Sequence, residues 1–162
     1  MIVKIGNTLI GDSRKSFIIA EMSGNHNGSI NKAMKIILAA KNCGANAIKL
    51  QTYTADTITI KSNKKDFQIP KKSPWRSKKN LWTLYNYAHT PWSWHKRLFN
   101  YAKKIGIEIF STPFDETAVD LLEDLNVPAY KVASFEATDL PLIKYISSTK
   151  KPLIMSTGMA SF

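Results

Sequence analysis

The stretch AYKVASFE, residues 129–136, predicts a short apolar strand over residues 129–133 with a lysine at its centre and a polar turn after it. A lysine inside an apolar strand needs a partner, because an unpaired buried charge is costly or loses its proton. Lys131 is therefore expected to meet an anion, and the turn after Ser134 places Glu136 just beyond the strand. From this stretch alone, a functional cluster competes evenly with an edge strand whose lysine and glutamate are solvated.

Strand and helix patterns alternate through the rest of the chain. Four further apolar strands are predicted, at residues 17–22, 47–52, 107–111 and 153–155. Helical periodicity covers residues 30–43, 81–89, 91–105, 115–125 and 139–148. This alternation predicts parallel strands with helices packed outside them, and two short alternating runs predict a β-hairpin within residues 1–16. The aromatic side chains of the two middle helices are interpreted mainly as core and packing surface.

Polar side chains gather at or just past the C-terminal ends of the predicted strands. They are Glu21, Asn25, Gln51, Thr112, Ser134, Glu136 and Ser156. In a (β/α)8 TIM-type barrel this end carries the catalytic groups, and in an open parallel sheet the binding crevice lies on the same side. About five βα repeats cannot close an eight-stranded barrel. The sequence thus predicts an α/β chain that forms an incomplete barrel, as a fragment, a split half or a remnant.

The formal net charge of +11 is compatible with nucleic acid, an anionic surface or a small anionic substrate. Lysines outnumber arginines 20 to 3 and concentrate in residues 61–79, which predicts a solvated insertion rather than a sequence-reading DNA interface. No apolar run approaches the roughly 20 residues that span a bilayer. We therefore expect a cytoplasmic protein with neither nucleic-acid nor membrane partners. The single cysteine, Cys43, is expected to be buried and inert.

The predicted strand ends would surround one point with ammonium groups, hydroxyls and backbone N–H groups. The contributing residues are Lys49, Thr112, Lys131, Ser134 and the turn Ser156-Thr157-Gly158. This combination holds a phosphate or carboxylate, and two cations favour a small, multiply charged anion. The sequence shows no Walker loop, dinucleotide fingerprint, CxxC pair or Ser-His-Asp arrangement that would indicate another reaction class.

Five motifs in order resemble the sialic acid synthase family over nearly the whole chain. They are IAEMSGNHNGS (19–29), NAIKLQTYTADT (46–57), FSTPFDE (110–116), YKVASFEATD (130–139) and MSTGM (155–159). QTYTADT and LYNYAHTPWSWH (84–95) are more similar to the pseudaminic acid branch than to the N-acetylneuraminate branch. The resemblance implies condensation of phosphoenolpyruvate with a 2,4-diacetamido-trideoxy-hexose aldehyde, with release of phosphate. N-acetylneuraminate or legionaminate synthesis, and an inactive anion-binding remnant, remain open alternatives.

The resemblance also implies roles for individual residues. Positions near the phosphoenolpyruvate carboxylate are Lys49, Thr112 and Ser134, and phosphate-binding positions are Lys131, Ser156 and Gly158. Gln51 matches a sugar contact, and Glu136 matches the acid/base group. The expected catalytic residues are Glu136 and Lys49. Phe114, Glu21 and Asn25 are included among the substrate-binding residues. His26 is expected to hydrogen-bond its own loop rather than a ligand.

The resemblance further implies a divalent metal, Mn²⁺ or Mg²⁺, that polarises the aldehyde. In the family the metal-binding histidines come from later barrel strands, and an antifreeze-like domain follows the barrel. We therefore expect the metal ligands, the remaining strands and that domain to lie outside residues 1–162, and the complete protein to form a homodimer.

Overall fold

A computed structural model describes residues 2–158, so Met159 of the MSTGM motif lies outside the described residues. Strands β1 (Ile2–Ile5) and β2 (Thr8–Gly11) form an antiparallel hairpin. A second, five-stranded sheet is parallel throughout and follows chain order. Its strands are β3 (Ile19–Glu21), β4 (Ala47–Thr52), β5 (Glu108–Pro113), β6 (Tyr130–Val132) and β7 (Leu153–Met155). The sheet corresponds to half of a barrel, which confirms the predicted fold class and the N-terminal hairpin.

Helices follow the strands as the alternation predicts. They are α1 (Ile30–Asn42), α2 (Ala55–Ile58), α3 (Leu81–Ala88), α4 (Trp92–Ile105), α5 (Glu116–Asp124) and α6 (Leu140–Ser148). Side-chain caps fix several starting points: Ser29 accepts a hydrogen bond from the Lys32 N–H, and Asp139 accepts one from Leu142. Gly106 ends α4 in the left-handed conformation at φ 72°, which a side chain would disfavour. None of the described helices is both long and apolar enough to cross a membrane.

The core lies between the helices and the outer face of the sheet. Ile48 and Leu50 of β4 are fully buried there against helix residues such as Ile37 and Leu98. Because side chains alternate along a strand, Lys49 and Gln51 occupy the opposite, inner face. Burying each large aliphatic side chain stabilises the fold by roughly 1.5–3 kcal/mol. The apolar positions thereby fix which face of β4 presents its lysine.

Two local features differ from the sequence predictions. Strand β5 continues through Thr112 to Pro113, so Thr112 lies within the strand rather than past its end. The predicted turn after Ser134 is present, because residues Phe135–Thr138 form a 3₁₀ turn that holds Glu136 past the end of β6. The prediction that Cys43 is buried is wrong: α1 ends at Asn42, and Cys43 caps the helix outside its buried stripe, where it is exposed.

The hairpin lies at the end of the sheet where the strands begin. The Asn7 N–H donates to Glu108 Oε1 at 3.2 Å, and Glu108 is the first residue of β5. Gly6 has φ 55°, which disfavours a side chain, and a Cβ there would lie 2.0 Å from the same oxygen unless the Glu108 side chain moved. The hairpin therefore covers the opposite end of the sheet from the polar strand ends.

Residues 61–79 fold back onto α3. Lys61 Nζ lies 4.6 Å from the ring centroid of Trp82, and Lys78 Nζ lies 3.6 Å from that of Tyr87. The Asn80 side chain donates to Asn63 Oδ1 at 2.9 Å. Most side chains of the segment are exposed, but these contacts give it a defined path beside the strand ends.

Candidate anion-binding site

The first cation of the site is Lys49, on the inner face of β4. Its side chain is only 9% exposed, and its ammonium pairs with Glu21 Oε2 at 2.8 Å. It also donates to Thr112 Oγ1 at 3.2 Å. The strand register explains these contacts, because Glu21 lies opposite Lys49 between β3 and β4, and Thr112 lies on β5, the next strand of the sheet. Three predicted site residues thus converge across neighbouring strands.

The second cation is Lys131, on β6. Its ammonium donates to the Val132 carbonyl and to Ser156 Oγ, each at 2.6 Å. Within residues 2–158 it forms no ion pair, so the expected anion is replaced by two neutral oxygens. Burial lowers the pKa of Lys131 and the nearby Lys49 ammonium lowers it further, whereas the carboxylates of Glu21 and Glu136 oppose this.

Both ammonium groups keep donor capacity for a ligand. A lysine ammonium carries three N–H donors, and each of these two contacts only two oxygens among the described residues. The cations also act on each other electrostatically. A dianion placed between them would relieve that repulsion and accept the remaining donors. The arrangement is therefore suited to a ligand with two anionic groups.

Two further predicted residues, Ser134 and Gly158, meet at the loops after β6 and β7. A Cβ on Gly158 would lie 2.6 Å from Ser134 Cβ, and the glycine has φ 53°. Both the backbone conformation and the close approach require glycine here. The contact brings the Ser134 side chain next to the turn that follows Ser156.

Glu136 lies beside the cations with an unusual environment for a carboxylate. It is half-buried, and its Oε2 is buried with no hydrogen-bond partner among the described residues. Burial raises the pKa of Glu136 and the charge of Asp139 adds to this, whereas its own backbone N–H and Lys131 act in the opposite direction. A carboxyl group that holds its proton more readily can donate that proton to a developing alkoxide.

No hydrogen bond or ion pair within residues 2–158 joins the remaining predicted residues to Lys49 or Lys131. Gln51 and Asn25 line a cleft of about 270 Å³ beside α3, together with aromatic side chains. Phe114 packs edge-on against Tyr53, with ring centroids 5.5 Å apart. The structure thus divides the predicted set into a cationic cluster and a neutral cleft.

A buried hydrogen-bonded chain supports the ends of β4 and β5. Thr52 Oγ1 lies 2.7 Å from Ser111 Oγ and 2.9 Å from His95 Nε2, and all three residues are fully buried. His95 Nδ1 lies 3.2 Å from the Pro91 carbonyl, so a neutral imidazole satisfies the chain from end to end. Burial lowers the pKa of His95 to about 4. Sequence reasoning missed this chain, although the TYT and WSWH motifs contain Thr52 and His95.

His26 is also accounted for by protein contacts. Its Nδ1 accepts from the Gly28 N–H at 3.1 Å, as predicted for a histidine that bonds its own loop. Its Nε2 lies 3.2 Å from Thr90 Oγ1. Among residues 2–158, no group of three or more His, Cys, Asp or Glu side chains could hold a metal ion. The described residues therefore do not fit a metal centre.

An opening of about 1200 Å³ lies between the hairpin and the starts of the strands. Its lining includes Lys4, Lys41 and Glu108 but none of the predicted site residues. The predicted site residues lie at the other end of the sheet, where the parallel strands finish.

Comparison with known proteins agrees with this architecture. Residues 36–162 match the model of the NeuB family. The chain is 47% identical over 159 residues to pseudaminic acid synthase from Campylobacter jejuni and 46% identical over 144 residues to that of Helicobacter pylori. These alignments cover 98% and 89% of this chain but 45% and 42% of the relatives, so the chain spans less than half of their length.

A solved structure shows the same likeness in three dimensions. The crystal structure of N-acetylneuraminic acid synthetase from Leptospira borgpetersenii aligns with a TM-score of 0.82 at 27% identity. The alignment covers 99% of this chain and 51% of that structure. On sequence and fold together, the chain belongs to the NeuB family.

Proposed function

We propose that this chain supplies the phosphoenolpyruvate-binding part of a pseudaminic acid synthase. The observation that carries the proposal is the pair of lysines on β4 and β6, Lys49 and Lys131, each of which has one donor left for a ligand after its contacts within residues 2–158. Phosphoenolpyruvate presents a carboxylate and a phosphate on one small carbon frame. Lys49 with Thr112 and Ser134 holds the carboxylate, and Lys131 with Ser156 and Gly158 holds the phosphate.

The reaction we propose joins two carbons and then releases phosphate. The π electrons of phosphoenolpyruvate form a bond from C3 to the aldehyde carbon of the sugar, and the aldehyde oxygen takes up a proton. Water adds at C2 and loses a proton. The C2–O bond to the phosphate then breaks, which leaves a 2-keto acid and inorganic phosphate. The lysines bind and orient the anion through these steps.

Glu136 is the acid/base group in this proposal. Its Oε2, which is buried and has no hydrogen-bond partner within residues 2–158, and its raised pKa support a proton donor that faces the reacting atoms. Glu21 orients Lys49 through their 2.8 Å ion pair. Gln51, Asn25 and Phe114 lie toward the cleft and contact the sugar side of the complex.

Further parts of the proposal concern the complete protein. A divalent metal, Mn²⁺ or Mg²⁺, would supply Lewis-acid assistance from ligands outside this chain, and no step above depends on it. We also propose a homodimer in the cytoplasm.

The test uses a protein that contains the whole site. The completed protein is this chain expressed with the C-terminal segment that follows the matched region in its Campylobacter relative. We expect phosphate release from phosphoenolpyruvate to depend on a 2,4-diacetamido-2,4,6-trideoxy-hexose and to be faster than with N-acetylmannosamine. The Campylobacter enzyme itself is the positive control. Faster release with N-acetylmannosamine would assign the N-acetylneuraminate reaction instead, and no release with any aldehyde sugar would refute the proposal.

A further inference from the structure

A neutral cleft lies beside the cationic cluster and is built mainly by residues outside it. Its lining combines the aromatic side chains of Tyr53, Trp75, Tyr85 and Tyr87 with the carboxamides of Asn25 and Gln51. No described residue in the lining carries a charge. Such a surface suits an uncharged group that has both an apolar part and a polar amide.

The cleft has rigid walls. Tyr53 is 5% exposed, and its ring packs edge-on against Tyr85 with centroids 5.9 Å apart. A Cβ on Gly24 would lie 3.1 Å from the Ala88 carbonyl oxygen, so the loop after β3 packs directly on α3. The contact between Lys78 and Tyr87 holds the insertion against the same helix. The shape is therefore present before any ligand binds.

Two walls of the cleft remain accessible to a ligand. Trp75 is 47% exposed and Tyr87 is 44% exposed, an unusual extent for large aromatic side chains beside a candidate site. The loop residue Asn25 is exposed as well. A substituent that entered the cleft would cover aromatic surface and meet carboxamide groups at once.

The position of the cleft selects which part of a substrate reaches it. The sheet order β3-β4-β5-β6-β7 places the cleft over β3 and β4, whereas Lys131 and Glu136 lie on and after β6. Two strand spacings, about 10 Å, separate β4 from β6. The aldehyde carbon must lie beside phosphoenolpyruvate and within reach of Glu136, the proposed proton donor to its oxygen. The group in the cleft must then come from the end of the sugar away from the aldehyde.

We propose that this cleft is a specificity site for the acetamido group at C4 of the sugar, with Trp75, Tyr85 and Tyr87 packing on its methyl group and Gln51 or Asn25 hydrogen-bonding its amide. The inference rests on the proposed function. An acetamido group at C2 adjoins the aldehyde carbon and stays near Glu136 and Lys131. The C4 group lies two bonds further along the sugar and extends toward β3.

The experiment compares two sugars in the completed protein. One is the 2,4-diacetamido-2,4,6-trideoxy-hexose, and the other is its analogue with a hydroxyl in place of the C4 acetamido group. Trp75→Ala and Tyr87→Ala are the test variants. Ile60→Ala is the matched control, since Ile60 is 62% exposed near the insertion but does not line the cleft. Thermal unfolding checks that each variant is folded.

We expect the parent to prefer the diacetamido sugar in kcat/KM and each test variant to lose about 10-fold of that preference. The KM for phosphoenolpyruvate should stay within about twofold, and Ile60→Ala should behave like the parent. Trp75→Phe should recover part of the preference, since it restores an aromatic ring. Equal kcat/KM for both sugars in the parent, or an unchanged preference in the test variants, would overturn the inference while the proposed function stands. Turnover of neither sugar would overturn both.

Discussion

Replacement of His95 by glutamine should make the stability of the protein less sensitive to acid. The buried imidazole has its pKa lowered from 6.5 to about 4, chiefly because burial disfavours the charged ring. The unfolded chain therefore binds more protons than the folded one between those two pH values, and the free energy of unfolding falls as the pH falls through that window. The pKa difference corresponds to about 3 kcal/mol, lost in full below pH about 4.

The assay is urea unfolding of the completed protein at pH 7.5, 6, 5 and 4.5, for the parent and for His95→Gln. Other titrating groups, including His26 and Glu136, are common to both proteins, so their contributions cancel in the difference. We expect the glutamine variant to be less stable than the parent at pH 7.5. The difference between their free energies of unfolding should become smaller toward pH 4.5. A difference in the free energy of unfolding that stays constant with pH would refute the conclusion that the buried His95 imidazole is neutral. So would a titration of the His95 ring, followed by NMR, with a midpoint near the 6.5 of an unperturbed histidine.

Three further results are expected. Glu136→Gln should keep phosphoenolpyruvate binding but lower kcat by about 10²–10⁴, since the amide cannot carry the proton; turnover within a few-fold of the parent would make Glu136 structural. Gly158→Ala should destabilise the protein by about 2–4 kcal/mol, because of both the clash with Ser134 and the positive φ. Gly44 also has a positive φ but open space around it, so Gly44→Ala should cost only about 1–2 kcal/mol. Equal losses would contradict the close approach of Gly158 to Ser134. The 162-residue chain alone should release no phosphate, because its barrel is incomplete: β3 and β7 each have only one neighbouring strand in the described sheet. Sugar-dependent release by the chain alone would contradict this.

The cationic cluster could be anticipated because its parts obey regular geometry. Alternation along β4 assigns Lys49 to the inner face, and parallel strands bring Glu21, Lys49 and Thr112 to one edge. The partner of Lys131 was harder to foresee. The sequence predicts an anion for this lysine, but a carbonyl and the Ser156 hydroxyl are enough because the side chain is only partly buried.

The neutral cleft and the His95 chain could not be predicted from periodicity. The cleft depends on the path of residues 61–79, which is set by single contacts such as Lys78 with Tyr87 and Asn63 with Asn80. A pattern of apolar residues does not encode contacts of this kind. His95 lies on the buried stripe of α4, where a histidine looks like any other core position until its neighbours Thr52 and Ser111 are known. The exposure of Cys43 likewise depended on where α1 ends.

The most direct test of the account is a calorimetric comparison of phosphoenolpyruvate and pyruvate binding to the completed protein. Pyruvate keeps the carboxylate and lacks the phosphate, so it separates the two assigned cations. Lys131→Met should weaken phosphoenolpyruvate binding about 10- to 100-fold, the loss of one charge-assisted contact, and leave pyruvate binding unchanged. Lys49→Met should weaken the binding of both ligands. Unchanged phosphoenolpyruvate affinity in Lys131→Met, or an equal loss for pyruvate, would contradict the claim that Lys131 holds the phosphate.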